Sequence, residues 1–419
     1  MRGNVRTRRE FLGAGALSAA AIAVVRRRVL GGEAATPPSD TVTGALIGQG
    51  ARGRGSWGAM GIKGCRLLAI CDVDYKRLGA DPKAFKLEPD QAEKVRQTTD
   101  FRRLMEMKDL DLVCIATPPH WHALICIAAA QAGKDIFCEK PMTKFIAEGR
   151  AVVNAVKRYG VVFQIGTFGR FGQSKAAGSI ECHKILKHGL LKDASGVVQR
   201  GTVPLRVGRV DLAPQPVPPN LDYNMWLGPA PFKPYNAARV HYSNRFYWDY
   251  EGGDLTNFGA HRIDPFTWTF AKDDTAPVLA EPYAPPAHDD AVGPWGWVEL
   301  TYADGLKFII ETGKWGEKYS RPIARTSVSA KDLDEEGRKK LAELPNPEPL
   351  VSFGEAIRTR KQAGGNAEAA HRGITAMHLA NIAIRVGRKI RFDPVAEQII
   401  GDEAANRLVN QPMREPWHL

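Results

Sequence analysis

Short apolar runs and helical stretches alternate through the first half of the chain. Val42–Ile47, Leu67–Cys71, Leu110–Ala116 and Asp135–Cys138 are β-prone segments too short to be buried helices. Between and after them lie the small-residue stretch Ala123–Ala132 and a segment ending near Tyr159, both helical in pattern. Strands alternating with helices predict a parallel sheet covered on both faces, with ligands bound beyond the carboxyl ends of its strands. From Val161 the alternation stops. A Pro-rich connection (204–219), the block Trp226-Leu-Gly-Pro-Ala-Pro231 and β-like runs at Gly296–Tyr302 and Leu306–Thr312 follow. They predict a second α/β domain around a large, mostly antiparallel open sheet. Lys331–Lys340 reads as a solvated helix or loop. His371–Val386 has helical spacing, which makes His371 and His378 surface or packed histidines rather than ligands.

The first predicted strand runs into Gly48-Gln49-Gly50-Ala51-Arg52-Gly53, a G-x-G-x-x-G. Alone the motif says little. Its context is the right one, because a strand precedes it, a helix is expected after it, and the second strand ends at Asp72, 19 residues past Gly53. Glycines let the backbone approach a pyrophosphate at a helix N-terminus, and an acidic residue there takes the ribose hydroxyls. Asp72 is assigned that role, with a helix N-cap as its alternative. Its charge favours NAD over NADP, although Lys76 and Arg77 stand close by. The third and fourth strands end in Thr117-Pro118-Pro119-His120-Trp121-His122 and Glu139-Lys140-Pro141, which places Thr117, Pro118, His122, Glu139 and Lys140 at the ligand-bearing edge.

Charge changes the picture little. Of the formal +12, residues 1–35 carry +5, from seven Arg against Glu10 and Glu33. The remainder is dispersed, without a recognition helix or an aromatic-interleaved basic stripe, so nucleic acid is not an expected partner. The composition, 44% hydrophobic and 25% charged, is that of an ordinary globular chain. Six cysteines contain no C-x-x-C pair and read as buried free thiols. At the N-terminus, Thr7-Arg8-Arg9-Glu10-Phe11-Leu12 followed by the apolar Gly13–Val25 resembles a twin-arginine export signal. Residues 1–35 are assigned to that signal and 36–40 to a linker, implying a periplasmic or exported protein with transient membrane contact. Arg26-Arg27-Arg28 keeps a basic membrane anchor open as the alternative.

A strand ending in TPPHWHA, followed about twenty residues later by one ending in EKPM, resembles the glucose–fructose oxidoreductase and inositol dehydrogenase (Gfo/Idh/MocA) family. The WLGPAP block, Tyr247–Gly253 and the ending from Phe392 to Trp417 resemble its exported branch. The resemblance implies a nicotinamide-dependent enzyme acting on sugars or cyclitols. It divides the chain into an NAD-binding Rossmann domain (41–162) and a substrate-binding and oligomerisation domain (163–419), expected to form a homo-oligomer. It also implies that Lys140 lies beside nicotinamide and substrate. In Gly252–Asp264 the helical part sets Asn257 and His261 four apart on one face. The family often has an Asp-x-x-x-His pair here; this chain has Asn257 in the acidic position, which leaves the imidazole as the titrating member.

The expected site is therefore Lys140 and His261 as catalytic groups. Gly48, Gly50, Arg52, Gly53, Asp72, Thr117, Pro118, His122 and Glu139 are expected on NAD, and Lys140, Asn257, His261, Arg170 and Trp248 on a carbohydrate. No metal is expected, because neither a carboxylate–histidine helix motif nor a Cys pair accompanies His120, His122 and His261. The expected reaction is oxidation of a secondary hydroxyl of a sugar, glycoside or cyclitol. Two alternatives stay open: a redox-neutral NAD-dependent glycosidase, and a non-catalytic sugar-binding protein on the same fold.

Overall fold

The computed structural model describes residues 41–191 and 193–419, so the export signal and linker expected in 1–40 lie outside the described residues. Six strands form the first sheet: β1 (Thr43–Ile47), β2 (Arg66–Cys71), β3 (Arg96–Thr98), β4 (Leu112–Ile115), β5 (Asp135–Cys138) and β6 (Phe163–Ile165). All pairings are parallel, in the order β3-β2-β1-β4-β5-β6. Strands β1, β4 and β5 are buried along their whole length. Burial on both faces explains why β4 reads as a continuous apolar run and why β1 and β5 carry a polar residue only at their first position. Strand β6 lies in this sheet, so the first lobe extends past the expected boundary at 162/163.

Three helices of this lobe bear on the site: α1 (Ala51–Ala59), α2 (His122–Gln131) and α3 (Ile146–Tyr159). Helix α3 begins where the Glu148 carboxylate accepts the N–H groups of Lys144 (2.9 Å) and Phe145 (3.1 Å), and ends at Gly160 with φ +66°. Val152 and Val153 on its inner face are fully buried, each such side chain contributing about 1.5–3 kcal/mol relative to exposure.

The second sheet contains β7 (Val198–Thr202), β8 (Leu279–Tyr283), β9 (Trp297–Thr301), β10 (Lys307–Glu311), β11 (Ile390–Asp393) and β12 (Gln398–Ile399), in the order β12-β11-β8-β9-β10-β7. Every pairing is antiparallel except β10 with β7. That is the mostly antiparallel sheet the sequence predicts. Helices α4 (Gly253–Thr269) and α5 (Ala367–Val386) connect the two lobes' cores. Glycine makes their close approach possible: a Cβ on Gly259 would fall 2.5 Å from Met377 Sδ. The patterned segment 371–386 is thus the end of a longer helix buried nearly all round. His371 and His378 are both buried, and His371 Nε2 sits 2.8 Å from Glu397 Oε1. Residues 331–340 fall in a short turn and a solvated helix, Glu335–Glu343.

A strap from the second lobe lies across the strand ends of the first. Tyr75 N–H donates to Asn220 O (2.8 Å) and Asp222 N–H to Val73 O (3.0 Å). Further along, His120 Nε2 lies 3.0 Å from Trp226 O and Trp121 Nε1–H donates to Met225 O (3.0 Å). The chain end reinforces this edge, with Trp417 edge-on to Trp121 at 4.7 Å and Arg414 donating to Gly228 O. Among the described residues no helix is long and apolar enough to cross a membrane. All six cysteines are unpaired and five of them buried.

Candidate active site

The carboxyl ends of β1, β2, β4 and β5 open into one cavity of about 320 Å³. Gly48, Gly50, Arg52, Asp72, Thr117, Pro118, Glu139, Lys140 and Asn257 all line it. The glycine loop is shaped by close approach. Gly48 has φ +91°, and a Cβ there would meet the Ala116 backbone at 2.7 Å; a Cβ on Gly53 would lie 1.9 Å from Gly48 O. Such a cradle leaves backbone N–H groups at the start of α1 open to a pyrophosphate. The Thr117 hydroxyl, buried on the same wall, has no hydrogen-bond partner. These residues fit a dinucleotide.

Asp72 follows β2 and is 9% exposed. Its Oδ2 accepts the Gln49 N–H (2.7 Å) and its Oδ1 the Asp74 N–H (2.9 Å), tying the glycine loop to the end of β2. Burial pushes its carboxyl up and the two N–H bonds pull it down. Each carboxylate oxygen keeps acceptor capacity for a ribose hydroxyl. Glu139 is a fastener: Arg52 Nη2 pairs with its Oε1 at 2.8 Å and the Ser56 hydroxyl donates to the same oxygen at 2.5 Å. It thereby binds α1 to the end of β5, directly before Lys140.

Lys140 reaches across to α4. Its Nζ donates to Asn257 O at 3.1 Å and also to Asn257 Oδ1. Burial lowers the affinity of this amine for a proton, while the charges of Glu251 and Glu139 raise it. The turn before α4 depends on two glycines. Gly253 takes φ +70°, and a Cβ on Gly252 would lie 1.9 Å from Asn381 Nδ2. His261 stands one helical turn beyond Asn257 and is an exposed residue outside the cavity lining. Partial desolvation of its ring, from the side that packs on the protein, and then the neighbouring Lys140 charge lower its pKa.

Besides His261, three side chains expected to bind a ligand are placed elsewhere. Arg170 is 1% exposed and held by Asp264 (2.7 Å) and Asp273 (2.9 Å), so its guanidinium is consumed inside the fold. Trp248 is buried behind the site, with Nε1–H donating to His288 O (2.8 Å) and Arg385 over its ring. An aromatic beside the Gly pair suggested sugar stacking, but its face is covered. His122 does not line the cavity; its ring lies between Pro141 O (2.8 Å) and Thr117 O (2.9 Å). It joins the two ligand-bearing loops instead of touching a ligand.

Sequence reasoning missed the strap's contribution. His241, Tyr242, Asn244, Arg245 and Glu251 line the cavity from the second lobe, and Arg77 from the first. Glu251 is 4% exposed, and burial pushes its carboxyl up to about 7. The available signal was an acidic residue set directly before the Gly pair that opens α4. Among the described residues, no group of three or more His, Cys, Asp or Glu side chains is placed to hold a metal ion.

Residues 43–167 match the family model described as oxidoreductase family, NAD-binding Rossmann fold, and residues 204–419 the one described as its C-terminal alpha/beta domain. Levoglucosan dehydrogenase of Pseudarthrobacter phenanthrenivorans is 46% identical over 68 residues, 16% of this chain and 17% of that protein. A glycosyl hydrolase family 109 protein of Shewanella pealeana is 29% identical over 168 residues, 36% of this chain and 37% of its own length. The aldose–aldose oxidoreductase of Caulobacter crescentus shares the fold, with a TM-score of 0.52 at 17% identity over 84% of this chain and all of that one.

Proposed function

Because the chain belongs to the Gfo/Idh/MocA oxidoreductase family, we propose that it oxidises a secondary hydroxyl of a sugar, glycoside or cyclitol with NAD. The observation that carries this reading is the placement of Lys140 and Asn257 in one cavity with the glycine cradle and Asp72. The bound nicotinamide supplies a hydride acceptor. Gly48, Gly50 and Gly53 shape the pyrophosphate seat, Asp72 takes ribose hydroxyls, and Thr117 offers its unpartnered hydroxyl to the cofactor. Lys140, when neutral, takes the proton from the reacting hydroxyl; burial favours that neutral form. Asn257 holds Nζ without a negative charge that would trap the proton there. His261, a turn away, contributes to orienting the substrate at the cavity's outer side.

A second reading is favoured by the glycosyl hydrolase family 109 relative and by the strap. The strap's bonds to the loop after β2 would slow exchange of a bound cofactor, which would then have to be regenerated either by a second substrate or within one cycle. In such a cycle, oxidation acidifies the adjacent C–H, a glycosidic group is eliminated, water adds, and the hydride returns. Retention also suits export by residues 1–35 after folding, and the second lobe's sheet is the proposed oligomer face. Incubation with NAD and a panel of sugars, glycosides and cyclitols tests the main reading. Reduced cofactor and a keto product should form with the wild type. Lys140→Ala should lose that reaction while its NAD affinity stays within about tenfold; no oxidation of any panel member overturns the reading.

A further inference from the structure

Glu251 is a buried acid of this cavity that the assignments above leave without a task. It is buried, it lines the same space as Lys140 and Asn257, and its Oε1 has no hydrogen-bond partner. A buried polar atom without a partner is unfavourable, so its retention at a cavity wall calls for a use. The turn that carries it is committed to the position, since Gly252 and Gly253 can be replaced only at the cost of a clash with Asn381 or a strained backbone.

We propose that Glu251 is the proton-holding partner of Lys140, a positioning residue that takes on the proton Lys140 removes from the substrate. The inference rests on the dehydrogenase reading above. As the hydride leaves the carbinol carbon for the oxidised nicotinamide, the hydroxyl proton passes to the Lys140 amine and a C=O bond forms. The ammonium then passes a proton to Glu251 Oε1 through one bridging water, because no direct contact joins the two side chains. Lys140 returns to the neutral amine and Glu251 becomes a neutral acid. Atoms and charge balance without any further reagent, and the proton later leaves to solvent.

The charges around the pair suit this exchange. Glu251 is faced by Arg245 from the short helix His241–Phe246, by Lys140 and Lys144 from the loop after β5, and by Asp254 from the first turn of α4. Lys140 is faced by Glu251, Glu139, Arg245 and Arg52. Burial lifts Glu251 to about 7 while lowering Lys140, which brings a carboxyl and an amine toward a common proton affinity. Glu139 is already engaged, with Arg52 and Ser56 both bonded to its Oε1.

The test is a pH titration of Lys140 Nζ in 15N-lysine-labelled protein, its resonance identified by its absence in Lys140→Arg. It is run with the single-turnover oxidation rate across pH. In the wild type the Nζ signal should titrate in two steps, one near pH 7. The rate should fall about tenfold per pH unit below that point. In Glu251→Gln the titration should collapse to one step at lower pH, because the anion that stabilised the ammonium is gone. The maximal rate should fall about tenfold or more, and Glu251→Asp should restore part of both. A structural role alone would lower the rate and leave the Nζ titration in place. A wild-type titration in one step overturns the proposal without any variant, as does an unchanged titration in Glu251→Gln. If no sugar is oxidised but the two-step titration and its loss are seen, the proton coupling stands and only the dehydrogenase reading fails.

Discussion

Lys140 holds Asn257 twice, its Nζ donating to the main-chain oxygen at 3.1 Å and to the side-chain Oδ1 of the same residue. An amide accepts these bonds as well as a carboxylate would, yet adds no charge. Asn257→Asp should therefore raise the Lys140 pKa. The amine would then be neutral only at higher pH, and the alkaline-rising limb of the oxidation rate should move up by about one unit or more. Activity at neutral pH should fall about tenfold and recover at high pH. A pH–rate profile superimposable on the wild type would contradict this account of Lys140.

Asp72 does two jobs that one substitution can separate. Its oxygens accept the N–H groups of Gln49 and Asp74, so Asp72→Ala would leave buried donors unpaired as well as remove the charge. Asp72→Asn removes the charge and keeps one of the two acceptors, so it disturbs this scaffold less than Asp72→Ala. NAD should then bind about tenfold more weakly. NADP should bind more tightly than it does to the wild type, with Arg77 on the same cavity wall available to the 2′-phosphate. Calorimetric titration with both dinucleotides gives the ratio; an unchanged preference would remove Asp72 from the specificity role.

The buried Arg170 predicts a stability effect in place of a binding effect. Its guanidinium answers Asp264 and Asp273, and its own N–H donates to Asp264 Oδ2 at 3.0 Å. Arg170→Ala should cost about 3–5 kcal/mol, since it strands a buried carboxylate. A denaturant titration measures that loss. A Km increase for sugar with stability unchanged would return Arg170 to the substrate side.

Asp72 and Arg170 mark where sequence was informative and where it was not. Asp72, Lys140 and the glycine loop were legible because strand ends in a parallel sheet converge by topology, so position along the chain fixes position at the site. The all-apolar β4 announced burial on both faces in the same way. Arg170 and Trp248 misled because a charged or aromatic side chain near a site has the same sequence appearance whether it faces ligand or core. Glu251 and His241 stayed hidden because a strap crossing from the other lobe brings them in through non-local pairing, such as that of Tyr75 with Asn220, which no local pattern encodes.

Heavy water distinguishes net oxidation from the redox-neutral cycle. Both begin with the same step at Lys140, so variants of that residue stop either one. They differ at the neighbouring carbon. Elimination breaks its C–H bond after oxidation, and water addition with return of the hydride leaves solvent hydrogen there. Net oxidation never breaks that bond enzymatically. With a glycoside in deuterium oxide the dehydrogenase reading therefore expects a keto product, intact glycosidic linkage, and reduced cofactor. That cofactor should accumulate to about one equivalent per site in a single turnover. Prompt reduction of the product before analysis is needed, because a ketone exchanges its adjacent hydrogens slowly on its own. Mass spectrometry should then find no deuterium beyond that control. Released aglycone, deuterium at the adjacent carbon and no net reduced cofactor would reverse the assignment in favour of the redox-neutral cycle.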